Sequence, residues 1–298
     1  MNQGRTQKQT GKFGVTKGFD SRKVEKEGDI MTIGKEPITA YATTRVIKIA
    51  DMMIDNDCRR IPIVDAGTKK LLGIAKAIDI VDFLGGGEKY NIILNNFKGN
   101  FLSAINSPIA KITSSNFTTL TNLDSIDDAL KIIIRMHTSL IPVVDKDGKI
   151  LKVISEKDVF PTLKISGVKA CDIMQREVIT VTPETTIKDL ARMVVNTQKR
   201  RIPVVSDGHL VGIISVMDVL KFLKEGEFKS IMSEEILSET VNKIMKQPNV
   251  VFLDTDLDYI VTEMKETGFG GFPVVEDSKL LGMITTTDVI KAFYRNEE

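Results

Sequence analysis

The chain has 298 residues, 42% of them hydrophobic, with 41 Lys+Arg against 40 Asp+Glu and a formal net charge of +1. That balance excludes a global pull toward nucleic acid or an anionic membrane, so any anion site is local. Two cysteines, Cys58 and Cys171, make no disulfide framework, and no stretch has the length and apolarity of a membrane span, which together lead us to expect a cytoplasmic protein.

The first 14 residues are polar and lack the apolar core of a signal peptide. Residues 1–23 are expected to form a flexible tail, in which Arg5, Lys8, Lys12 and Lys17 cluster. The first repeat follows. Val46, Ile49, Ala50 and Met53 fall on one helical face, then Ile61-Pro62-Ile63-Val64 reads as a strand, a turn lies in 65–70, and Asp79 closes the unit. Gly85-Gly86-Gly87 lacks the Lys-Ser/Thr of a phosphate loop, and the apolar segment after it, to Ser107, predicts a packed connector. The second repeat has Ile126, Ala129, Leu130 and Ile133 on its helix face, then Ile141-Pro142-Val143-Val144 and Asp158. The third has a short strand at 179–181, a helix entry at Pro183 and Thr185-Thr186, and a face of Ile187, Leu190, Ala191 and Val194. Its strand at 202–205 turns at Ser206-Asp207-Gly208 into a second strand at 210–214, and Ser215 opens a helix with Asp218 three residues on. The fourth gives Leu257, Ile260, Val261 and Met264, then Phe272-Pro273-Val274-Val275 and Asp288.

The Pro-to-Asp offsets are 17, 16, 15 and 15, with the surplus in hairpin turns, where insertions cost little. The common plan is β-α-β-β-α in about 60 residues. A unit so small is marginal alone, so the repeats are expected to dock in pairs, first with second and third with fourth. The fold class expected is α/β (α+β). One module spans 24–165, with repeats at about 28–85 and 108–164. The other spans 166–298, with repeats at about 169–224 and 240–294.

The recurrence of hydrophobic-Pro-Val-Val, hairpin, Gly-hydrophobic-x-Ser/Thr-x-x-Asp resembles the CBS domain, over about 28–293. Two paired CBS domains form a Bateman module. Four repeats without a catalytic domain look like a stand-alone archaeal-type CBS protein and are similar to the gamma subunit of AMP-activated protein kinase. The resemblance implies adenine nucleotides such as AMP, ADP or ATP, or S-adenosyl compounds, bound in clefts between paired repeats. It implies no enzyme chemistry, no metal and a regulatory role toward an unknown protein partner, with a monomer and a homodimer both feasible.

Ser215-x-x-Asp218 by itself is a capping-box-like helix start. All four copies carry Asp where a reciprocal box prefers Glu or Gln, and the first keeps Asp79 although Lys76 replaces the hydroxyl, so the carboxylate is expected to act independently of the cap. An ionised Asp suits the vicinal hydroxyls of ribose, and glycines 73, 212 and 282 are expected to admit a ligand closely. Lys152 replaces that glycine in the second repeat and is expected to hinder approach to Asp158. The resemblance implies composite sites. Asp288 with Thr285 and Thr287 would face Arg200, Arg201 and Thr180; Asp158 with Ser155 would face Arg59, Arg60 and Thr39. The reverse pairings look poorer. Asp218 with Ser215 would face Val250 and Gly271, without a cation, and Asp79 would face Thr119 and Leu140.

His137 and His209 lack neighbours at metal-ligand spacing, and Cys58 beside Arg59-Arg60 reads as a helix-end residue. The alternatives kept open are an S-adenosylmethionine-type ligand, which needs no phosphate cations, a structural interaction module with empty clefts, and nucleic-acid binding through the basic tail.

Overall fold

The computed structural model describes residues 30–85, 87–136, 138–159, 167–228 and 233–295. The expected tail, His137 and the module boundary near Ser166 lie outside the described residues.

A lead-in helix α1 (Ile30–Ile33) precedes the first repeat, which comprises β1 (Ala40–Tyr41), α2 (Val46–Asp55), β2 (Arg60–Val64), β3 (Leu71–Lys76) and α3 (Ala77–Leu84). The connector folds as α4 (Tyr90–Phe97) and α5 (Phe101–Ile105). The second repeat comprises β4 (Leu120–Thr121), α6 (Ile126–Met136), β5 (Leu140–Val144), β6 (Ile150–Ser155) and α7 (Glu156–Val159). The third has α8 (Ala170–Ile173), α9 (Ile187–Thr197), β7 (Arg201–Ser206), β8 (His209–Ser215) and α10 (Val216–Phe228). After α11 (Ser233–Ser238) the fourth adds β9 (Val251–Phe252), α12 (Leu257–Thr267), β10 (Gly271–Glu276), β11 (Lys279–Thr285) and α13 (Thr286–Arg295).

In each repeat the β-branched Pro-containing strand forms an antiparallel hairpin with the next, and a register shift falls at the same step: Ile63/Val64, Val143/Val144, Val204/Val205 and Val274/Val275. A short parallel strand joins its other edge in three repeats. In the third the strand expected at 179–181 shrinks to one bridge, Val181 to Val204, followed by a turn in which the Thr182 amide donates to the Thr185 hydroxyl at 3.1 Å, as the equivalent amides do in the first and fourth repeats.

The helical faces read from spacing are the buried ones. Val46, Ile49, Ala50 and Met53 of α2 are buried, as are the matching quartets of α6, α9 and α12. The apolar side chains join into two cores. One combines the first and third repeats, with Ile49, Met53 and Phe83 against Leu190, Val194 and Leu220. The other combines the second and fourth, with Ile133 and Ile154 beside Ile260, Phe272 and Ile290. Backbone bridges run the other way. Lys35 pairs with Val153 and Ser114 with Ile74, joining first and second repeats; Gln175 pairs with Met283 and Lys246 with Ile213, joining third and fourth. Hydrogen bonding therefore makes each pair of repeats, and apolar burial welds the pairs together.

These bridges correct the reading of the glycines. A Cβ on Gly73 would lie 2.6 Å from Thr113 Cγ2 and 2.8 Å from the Ser114 carbonyl; one on Gly282 would lie 2.7 Å from Met174 Sδ. The space is filled by the partner repeat's lead-in segment, not kept for a ligand. The second repeat inverts the arrangement. Lys152 stands on the strand, and Gly34 on the crossing segment supplies the room, with a Cβ there 2.9 Å from Lys152 Cβ. Lys152 thus does not hinder Asp158, and its ammonium pairs with Glu36. Gly73→Ala pushes on a backbone carbonyl, and we expect urea unfolding to show a loss of about 1–3 kcal/mol, the usual cost of overpacking.

Candidate functional site

Every repeat ends its hairpin at a helix mouth, which places the four aspartates in equivalent positions. Asp158 Oδ2 accepts the Ser155 N–H at 2.7 Å and the Ser155 hydroxyl at 2.6 Å. Asp218 Oδ2 accepts the Ser215 N–H at 2.8 Å and hydroxyl at 2.5 Å. Asp288 Oδ2 accepts the Thr285 N–H at 2.9 Å and hydroxyl at 2.6 Å. One oxygen of each of these three carboxylates is therefore part of a helix cap, as the capping-box reading expects. Asp suffices where Glu was expected because its shorter arm already reaches the N-cap groups. The same box recurs at Ser125-x-x-Asp128 and Thr186-x-x-Asp189, on exposed helix starts, so capping alone marks no site.

What distinguishes the four is the other oxygen. Asp158 Oδ1 pairs with Lys35 Nζ at 2.6 Å, Asp218 Oδ1 pairs with Lys246, and Asp288 Oδ1 accepts from Gln175 Nε2 at 2.9 Å. Lys35, Ser114, Gln175 and Lys246 hold one equivalent place, two residues after the isoleucines 33, 112, 173 and 244. Ser114 is too short to reach, and Lys89 of the connector takes over. Its Nζ bonds Asp79 Oδ1 at 2.6 Å and the Ile112 carbonyl at 3.1 Å. Asp79 Oδ2, lacking a capping hydroxyl, is buried without a hydrogen-bond partner among the described residues. Sequence reasoning missed this set, although the spacing after each lead-in isoleucine carried the signal.

A cavity of about 500 Å³ is lined by residues of all four repeats, Asp158 and Asp218 among them. Its wall brings together Asp158, Ser155, Arg59, Arg60, Asp218, Ser215 and Arg201. Of the other expected site residues, Asp288, Thr285, Thr287, Arg200, Thr180, Thr39 and Asp79 do not line it. One expectation changes. Asp218 was read as lacking a cation, yet Lys246 from the fourth repeat pairs with it. Arg201, expected opposite Asp288, lies against Gly270 of the fourth repeat and shares the cavity wall with Asp218, while Arg200 makes a two-point ion pair to Glu156 at 3.2 Å each. Alternation along a strand start sends these neighbours to different sides.

The wall carries seven cationic side chains to five carboxylates. Burial and the neighbouring Arg200 and Arg59 guanidiniums hold Arg60 down to about 10; burial, Arg59 and Arg200 do the same to Arg201. Burial and Arg200 also lower Arg59. All three stay charged at neutral pH, and their mutual repulsion is relieved by any added anion. Arg60 Nη1 donates to the Ser139 hydroxyl across the first pair of repeats.

Cys58 also lines the cavity, and burial, with Asp57 beside it, pushes its thiol pKa up. The thiolate is the reactive form, so raising its pKa leaves less of it at a given pH. Alkylation of Cys58 is expected to accelerate only above the ordinary thiol range and to slow when the cavity is filled, which mass spectrometry of iodoacetamide-treated protein reads. Among the described residues no cluster could hold a metal ion, and no helix is long and apolar enough to cross a membrane.

Four paired β-α-β-β-α repeats with a carboxylate at each helix mouth define the class: the chain belongs to the CBS-domain family, whose domain profile matches residues 28–86, 109–164, 170–225 and 230–295. It is 37% identical over 268 residues to protein MJ1225 of Methanocaldococcus jannaschii, covering 87% of this chain and 96% of that protein. The crystal structure of MJ1225, itself proposed as an archaeal homologue of g-AMPK, matches with a TM-score of 0.85 at 35% identity, over 89% of this chain and all of that one. A 33.4 kDa protein encoded in a ribosomal RNA operon of Thermofilum pendens is 25% identical over 273 residues, 87% of this chain and 89% of its own length. A conserved protein of Pyrococcus horikoshii shares the fold, with a TM-score of 0.56 and 20% identity over 89% of this chain and 99% of that one.

Proposed function

We propose that the chain is a non-catalytic regulatory protein that binds adenine nucleotides (AMP, ADP or ATP) at Asp158 and at Asp218 and passes their occupancy to a protein partner. The observation that carries this reading is that the partly buried guanidiniums of Arg59, Arg60 and Arg201 line one cavity together with the buried carboxylates of Asp158 and Asp218. A ribose diol donates to Oδ1 of either aspartate, and the phosphates of both nucleotides run inward to the arginines. Lys35 and Lys246 must yield Oδ1. Their side chains are 69% and 62% exposed against 4% and 9% for the aspartates, so they swing into water or onto a phosphate at little cost. At Asp79 the plug is firmer, because Lys89 is 29% exposed and holds a second acceptor. Thr39, Thr285, Thr287 and Thr180 are left to secondary roles around the carboxylates. The similarity to MJ1225 supports the regulatory reading.

An S-adenosyl ligand brings a sulfonium cation to a cationic wall, and the arginines repel it. Calorimetry with AMP, ADP, ATP and S-adenosylmethionine tests the choice. Two nucleotides per chain, bound more weakly by Arg60→Ala and Arg201→Ala, are expected. S-adenosylmethionine binding that ignores both substitutions overturns the nucleotide assignment, and no binding of any of the four leaves a structural interaction module.

A further inference from the structure

The residue that follows each helix-mouth position is Ala77, Glu156, Val216 and Thr286 in the four repeats, and all four are buried, at 1%, 4%, 3% and 6% exposure. A carboxylate in a place otherwise filled by small or apolar side chains is costly unless it is paired. Glu156 has partners from two other repeats. Arg200 of the third donates to both its oxygens at 3.2 Å, and the Thr287 hydroxyl of the fourth donates to Oε1 at 3.2 Å. It also lines the cavity with Arg59, Arg60 and Arg201, and its charge acts on all three.

We propose that Glu156 is a built-in anion seated where a phosphate would otherwise sit in the arginine cluster, and that it sets how many phosphate charges the cavity accepts. For the nucleotide, this rests on the function proposed above; for bare phosphate chains it stands alone. The carboxylate neutralises Arg200 and repels each further negative charge that enters. A short phosphate chain reaches the wall arginines with little penalty, whereas a longer one brings more charge against the carboxylate. Glu156→Gln removes the repulsion, so the gain grows with the charge of the ligand.

The test is titration of wild-type and Glu156→Gln protein with orthophosphate, pyrophosphate and tripolyphosphate, and in parallel with AMP and ATP. Expected is a tightening for tripolyphosphate about tenfold greater than for orthophosphate, and the same ordering of ATP over AMP. An equal factor across the phosphate series, or no binding of any member by either protein, overturns the proposal. Glu156→Ala, which carries the side chain of the first repeat, must reproduce the ordering and stands in if the glutamine variant fails to fold. Thr287→Val removes a hydrogen bond but no charge, and a charge-dependent gain as large as that of Glu156→Gln would assign the effect to packing and refute the role. Phosphate chains that show the ordering while AMP and ATP fail to bind refute the nucleotide reading alone.

Discussion

Under the proposed function, Asp158→Ala and Asp218→Ala are each expected to leave a single nucleotide bound per chain, and the double variant is expected to bind none. Each substitution removes Oδ1, the acceptor left over once Oδ2 has capped its helix. A hydrogen bond to a charged group contributes about 1.5–3 kcal/mol, so each bond lost weakens Kd about 10- to 100-fold. The cap disappears too, at about 0.5–2 kcal/mol of stability. Asp128→Ala and Asp189→Ala separate the two effects, because they remove the same box from exposed helix starts that do not line the cavity. These controls are expected to lower stability and leave binding intact. Calorimetric stoichiometry checks the set, and loss of binding in the controls would reduce the aspartates to helix caps.

Phe83→Ala is expected to cost about 3–5 kcal/mol, the range for deleting a buried aromatic ring. Phe83 is fully buried in the core shared by the first and third repeats, where α3 packs against α9 and α10. The damage therefore reaches beyond its own repeat. Hydrogen exchange is expected to quicken in α9 and α10 as well as in α2 and α3, with urea unfolding shifted to lower midpoint. Unchanged protection in α9 and α10 would contradict the shared core.

The elements legible in the sequence were the locally determined ones. Helix faces follow from a 3.6-residue period, and the hairpins from β-branched runs broken by turns such as Ser206-Asp207-Gly208, whose Asp207 and Gly208 take positive φ of 49° and 78°. Composition and spacing carry no record of which repeat's apolar face meets which, and the two shared cores are decided by three-dimensional packing. The glycines were legible as close approaches, but the approaching group was the partner's lead-in segment, a fact visible only in the exchange of Gly34 for Lys152. The aspartates stood out because they recur. Lys35, Lys246, Gln175 and Lys89 did not, because the position shared by the first three is Lys, Ser, Gln and Lys across the four repeats, and the fourth comes from the connector. Glu156 was hidden inside Ser-Glu-Lys-Asp, where nothing local separates a buried carboxylate from a solvated one.

A crystal soaked with AMP offers the most direct test of the central claim that Asp158 and Asp218, on the wall of one cavity, are the nucleotide sites. Ribose hydroxyls on Asp158 and Asp218, phosphates against Arg59, Arg60 and Arg201, and Lys35 and Lys246 swung away from their carboxylates are the predicted result. AMP seated at Asp79 or Asp288, with both lysines still clasping Asp158 and Asp218, would contradict it.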